Sequence, residues 1–157
     1  VDPEAAEAVF RAPWEVTMMG LDLTHQALAT AELQDRVRAV GGPISRLVLD
    51  IWEFVGSTYK RQYEFDAPPV HDACCVAALI DPDAFTTALA DVRVELRGEW
   101  TRGTTVVNFL DAPGMHHSNG SALAQTDYRT RIATALDWER FADQVVDAVE
   151  RLTAALG

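Results

Sequence analysis

Apolar and polar positions along the 157 residues switch repeatedly between a helical and a strand period. Pro3 to Phe10 predicts a short helix with Ala5, Ala6, Val9 and Phe10 on one side; Asp2 is its N-cap and Pro3 its first helical residue. WEVTMMG, Trp14 to Gly20, predicts a mostly apolar strand ending at glycine, and LDLTHQAL a loop or short helical turn. Ala31 to Val40 predicts a helix stopped by Gly41-Gly42. A longer helix opens at Pro43, with Ile44, Leu47, Val48, Ile51, Val55 and Tyr59 at i, i+3, i+4, i+7 spacing as its core face. FDAPP breaks it, and HDACCVAALI predicts a second, short buried helix ending at Asp81-Pro82.

The period then changes. VRVEL, Val92 to Leu96, alternates as strands do, RGEWTRG is a turn-rich connection, and TTVVNF, Thr104 to Phe109, is the return strand of an antiparallel hairpin. DAPGMHHSNGSALAQ reads as a loop. TRIATAL, Thr130 to Leu136, is another strand. The last helix is capped by Asp137 and carries the stripe Phe141, Val145, Val149 and Leu152. Helices interleaved with apolar strands predict an α/β class with a parallel sheet.

Composition narrows the function. With 48% hydrophobic and 24% charged residues the chain is of globular type, and its length suits one domain. A net charge of −11 argues against nucleic acid and anionic membrane surfaces as partners and is compatible with cations. No apolar run reaches eighteen residues, and the first residues are acidic where a signal peptide is basic. Cys74 and Cys75 are sequence neighbours, a poor geometry for a structural disulfide, which predicts packing residues in a reducing, cytoplasmic setting.

The chemistry concentrates at PPVHDACC. His71 and Asp72 stand where a loop becomes a helix, and Asp72 has two readings there: an N-cap, or a carboxylate held for a ligand. Tyr59 and Tyr63, four apart, lie on one helix face near the same loop. Rings with polar tips, an imidazole and a carboxylate on one rim describe a small-molecule pocket. His116-His117 reads as a solvated loop, Glu95, Arg97, Glu99 and Arg102 as a solvated face, His25 as a capping or packing residue at the rim, and Trp14, Trp52, Trp100 and Trp138 as packing.

VDPEAA, TMMGLDLTHQAL, PPVHDACCVAALIDP and VELRGEWTRGTTVVNF, in that order and spacing, resemble the inosine-uridine type nucleoside hydrolases over nearly the whole chain. The resemblance implies an open, mostly parallel sheet with flanking helices and an antiparallel hairpin in the second half. It also implies hydrolysis of the N-glycosidic bond of ribonucleosides by a Ca²⁺-bound water. In that reading Asp72 is a calcium ligand, His71 the general acid or base contact, and Tyr63 and Tyr59 base-contacting residues; Tyr59 stands where pyrimidine-preferring members can carry Gln. The family's D-x-D-x-x-x-D-D cluster and its N-x-x-x-E-x-N segment have no counterpart in the 157 residues. The chain is therefore expected to be the carboxyl-terminal part, residues 1–157, of one such domain: a homo-oligomer (dimer or tetramer) when complete, and inactive without its amino-terminal half. The other expectations are a degenerate half serving as a binding or assembly module, and an unrelated α/β domain in which Asp72 is only a cap.

Overall fold

The computed structural model describes residues 1–63, 65–109 and 130–156, with the side chains of residues 62 and 63 outside the description. His116 and His117, with the loop expected around them, lie outside the described residues. The chain divides into two compact units, residues 1–18 with 87–133 and residues 19–86 with 134–157.

In the first unit, helix α1 (Pro3–Arg11) begins as expected: extended Asp2 accepts the Ala5 amide hydrogen bond through Oδ1 at 2.9 Å. Strands β1 (Val16–Met18), β2 (Phe85–Val94), β3 (Thr105–Phe109) and β4 (Thr130–Leu136) form one sheet in the order β1-β4-β2-β3. β1 pairs parallel with β4, Val16 opposite Thr130 and Met18 opposite Ile132. β2 and β3 form the expected antiparallel hairpin, from Ala90 opposite Phe109 to Val94 opposite Thr105. Ala90, Val92 and Ile132 are the buried core here, with Phe10, Met18, Val107 and Phe109 packed against it. Asp91, buried on β2, is paired with Arg11 at 3.2 Å and Arg93 at 3.0 Å, which offsets the cost of burying its charge.

Several expectations for this unit are corrected. β1 is shorter than Trp14 to Gly20, and β2 starts seven residues before Val92, because FTTALAD lacks strict alternation while its β-branched threonines still suit a strand. Trp14 and Trp100 are exposed rather than packed. Glu95 is more than a solvated charge: it accepts from the Arg97 and Gly98 amides, which hold its carboxyl below the usual range, and Arg102 pairs with Glu4.

The second unit is helical: α2 (Leu21–Thr24), α3 (Ala31–Val40), α4 (Gly42–Tyr63), α5 (Ala73–Ile80) and α6 (Trp138–Leu156), with a 3₁₀ turn at Pro82–Ala84. Thr30 caps α3 at the Leu33 amide. Gly41 and Gly42 end it at φ +73° and +82°, where a side chain is strained, and a Cβ on Gly42 would meet Thr153 at 3.1 Å. Helices α3, α4 and α6 enclose Leu33, Val37, Trp52, Ala142 and Val149. Among the described residues no helix is long and apolar enough to cross a membrane.

The buried face of α4 is the expected one only in part: Ile44 and Val48 pack against this core and Val55 and Tyr59 are half-buried, but the face is rotated toward other residues. Trp52 and Ser45 are buried, whereas Leu47 and Ile51 are 55% and 51% exposed and Phe54 75%. The helix is apolar over a wide arc, so its period fits two stripes; packing against α3 and α6 selects the one carrying the largest side chain, Trp52. Helix α5 is not buried as a whole either. Cys74 and Ala77 are inside, but Val76, Leu79 and Ile80 are exposed, since α5 meets α6 along one side only. Leu152, expected in the α6 stripe, is exposed.

A short backbone pairing ties the segment after α2 to the loop before α5. Ala29 donates to the Pro68 carbonyl at 2.9 Å and Val70 to the Ala27 carbonyl at 2.8 Å, around an antiparallel bridge of Leu28 and Pro69.

Candidate active site

His71 is the centre of the site. It leaves the bridge directly after Val70, so its ring faces residues delivered by α2 and α4. Its Nδ1 lies 2.8 Å from the Thr24 hydroxyl and its Nε2 lies 2.7 Å from the Tyr59 hydroxyl. Both ring nitrogens are thus engaged by groups that can donate or accept. The His25 ring stands 5.5 Å from that of His71, and Phe65 meets His25 edge-on at 4.8 Å. Burial, and then His25, lower the His71 pKa; the charge of Asp72 opposes them. That direction favours the neutral imidazole, in which one nitrogen is protonated and the other bare.

Asp72 precedes α5 but does not cap it. Its backbone is helical (φ −70°, ψ −30°), and its side chain makes no capping hydrogen bond. The first amides of α5 go instead to main-chain oxygens, Cys74 to His71 at 3.2 Å and Cys75 to Asp72 at 3.3 Å. An exposed carboxylate uncommitted to the backbone is free to act as a ligand. It fits a hard cation in kind but not in number: among the described residues no group of three His, Cys, Asp or Glu side chains could hold a metal.

The structure thus brings His71, Asp72 and Tyr59 to one place. Tyr63 ends α4, and its side chain lies outside the description. Thr24 and Phe65 were not singled out by the sequence. Thr24 stands beside His25 in GLDLTHQAL, a short polar run between Leu23 and Ala27, which was the available signal for Thr24; Phe65 had none. His25 takes both roles at once, closing α2 through its amide to Leu21 at 2.9 Å and facing His71 with its ring.

A sequence model described as inosine-uridine preferring nucleoside hydrolase matches residues 1–143. The chain belongs to that family. It is 42% identical over 152 residues to the inosine-uridine preferring nucleoside hydrolase of Leishmania major, covering 97% of this chain and 45% of the relative. It is 40% identical over 128 residues to the pyrimidine-specific ribonucleoside hydrolase RihA of an Escherichia coli strain, covering 81% and 41%. Among solved structures, the plant nucleoside hydrolase PpNRh1 superposes with a TM-score of 0.78 at 26% identity, covering 98% of this chain and 46% of that one. The chain spans under half the length of these relatives. The expected α/β class of a nucleoside hydrolase, four strands with flanking helices, is the one observed.

Proposed function

We propose that this chain supplies the leaving-group side of a ribonucleoside N-ribohydrolase. The observation that carries the reading is His71, held at both nitrogens by Thr24 and Tyr59, next to an Asp72 carboxylate that no cap consumes. In the reaction the bond from C1′ of the ribose to the base nitrogen breaks, water oxygen bonds to C1′, and the base leaves with a proton. The Tyr59–His71 pair delivers that proton: as one ring nitrogen gives a proton up, the other can be resupplied through its hydroxyl partner. Tyr63, one helical turn after Tyr59, is the second base-contacting residue.

Asp72 is one ligand of a Ca²⁺ ion, and the remaining ligands and the water-activating carboxylate come from outside these 157 residues. Bound calcium supplies a hard centre for the attacking water and the ribose hydroxyls. Relatives named for inosine and uridine and for pyrimidines alone support both base classes as substrates. Two free cysteines support a reducing, cytoplasmic location, and we take the complete enzyme to be a homo-oligomer. The lack of a three-ligand group among the described residues also favours a second reading, a catalytically incomplete half that binds or assembles.

Release of base from inosine, uridine, cytidine and adenosine, followed by chromatography with and without calcium, separates the two. Calcium-dependent release by the full-length polypeptide and none by residues 1–157 is expected. Absence of release by the full-length polypeptide on every nucleoside refutes the hydrolase reading and leaves the second.

A further inference from the structure

Helix α5 is apolar all round yet packed on one side only. Its sequence, ACCVAALI, has no polar side chain beyond two thiols. Such a helix belongs in an interior. Only Cys74 and Ala77 are buried, however, while Val76 is 59% and Ile80 69% exposed. Both line a groove between α5 and α6, with Ala73 beside them and Phe141, Gln144 and Val145 opposite. Gln144 is the one polar residue of that lining. Both polar atoms of its carboxamide are closed off from solvent and make no hydrogen bond among the described residues. A carboxamide can donate twice and accept twice, and native folds avoid leaving such groups buried and unpaired. An uncovered apolar wall and an orphaned carboxamide thus mark the same groove as unfilled.

The groove begins beside Asp72, whose carboxylate caps nothing. On the proposed calcium role, the other oxygen ligands must reach this first turn of α5, and so pass the mouth of the groove. A second copy docked through the same helix would bring only its own Asp72 and Asp81, and Asp81 is already paired with Arg140 at 2.6 Å. Polypeptide beyond the matched part is available in the relatives: the chain covers 45% of the Leishmania major hydrolase. We infer that the α5–α6 groove is the docking surface for a segment of the full-length polypeptide outside residues 1–157. That segment is apolar where it lies on Val76 and Ile80, meets the Gln144 carboxamide with a polar group, and brings carboxylates to Asp72. Its link to Asp72 rests on the proposed function, whereas the unfilled groove does not. Cys75, about 100° round the helix from Val76, stays outside the contact.

The test uses the full-length protein throughout. Val76→Cys and Ile80→Cys are alkylated briefly, with native Cys75 as the reference in the same molecule. Labelling at the two new thiols is expected to be about tenfold slower than at Cys75 or slower still, as for sites that react only on local opening. Equal rates overturn the inference. Photo-crosslinking from benzoylphenylalanine in place of Ile80 then identifies the occupant. The expected product is a single polypeptide joined to a peptide outside residues 1–157; a cross-link to a second copy, or only to residues within 1–157, overturns the inference. Gln144→Leu supplies a sign. A partnered carboxamide loses its bonds and the unfolding midpoint falls by a few degrees, whereas a raised or unchanged midpoint overturns the contact at Gln144. Should neither cysteine variant fold, the cross-link and Gln144→Leu decide the matter. Base release from nucleosides is followed on the wild type. An active enzyme with an open groove overturns the docking alone, and a filled groove in a protein inactive on every nucleoside overturns the hydrolase reading alone.

Discussion

Asp137 and Asp72 occupy the same place in the chain, the residue before a helix, and are used in opposite ways. Asp137 starts α6 by accepting the Arg140 amide at 3.2 Å through its side chain. Asp2 does the same for α1, with the extended backbone that lets a carboxylate fold back over the first turn. Asp72 has helical angles, so its side chain is carried away from the amides it would cap, and the His71 carbonyl takes over as the first acceptor. Of the two aspartates whose angles bear on this, the extended one, Asp2, caps its helix and the helical one, Asp72, does not. Where a preceding turn already satisfies the amides, the carboxylate is released for other chemistry.

Replacing the two residues should separate them most sharply. Asp72→Ala in the full-length enzyme is expected to lower turnover on every nucleoside and on a nitrophenyl riboside alike, by about 10⁴. On the proposed calcium role, several kcal/mol of transition-state stabilisation would be lost, at tenfold per 1.36 kcal/mol. Its unfolding free energy should stay within about 0.5 kcal/mol of wild type, as for an uncommitted surface residue. If Asp72→Ala instead melts early and keeps its activity, the contrast with Asp137 collapses. His71→Ala should come next, costing about 10²–10⁴ on nucleosides whose base needs a proton and little on the nitrophenyl riboside, whose leaving group needs none. Equal losses on both substrates would assign His71 to the ribose or metal side.

Asp137→Ala is the mirror experiment. Loss of a capping side chain costs about 1 kcal/mol, so the full-length enzyme should lose about that much unfolding free energy in a denaturant titration, with kcat unchanged. A change in kcat without a change in stability would mean that α6 starts by other means.

The smallest effect concerns the first turn of α5 itself. A helix N-terminus ordinarily lowers a thiol pKa, yet burial and the neighbouring Cys75 push Cys74 up to about 11. At pH 8 only about one Cys74 in a thousand is thiolate. Mass spectrometry after brief alkylation of the folded protein should find the label on exposed Cys75 and almost none on buried Cys74. Comparable labelling of both would show that the turn beginning at His71 opens readily in solution.

Helix starts and stops were legible because they are local. The Asp2, Asp137 and Gly41-Gly42 signals act within three or four residues, and the elements they bound appear where the pattern predicts them. The α/β class and the β2–β3 hairpin were legible for the same reason, as was the grouping of Tyr59 with the His71-Asp72 loop. The faces were not. Leu47 and Ile51 satisfy the same period as Trp52, and only contact with α3 and α6 chose between them. Nor was the use of Asp72, which depends on backbone angles that a residue's identity does not dictate. The Thr24 partner of His71 was hidden most deeply. Thr24 and His71 meet where two main-chain hydrogen bonds join Ala27–Ala29 to Pro68–Val70, and main-chain bonds can be made by almost any residue, so they leave no mark in the sequence that they bring together.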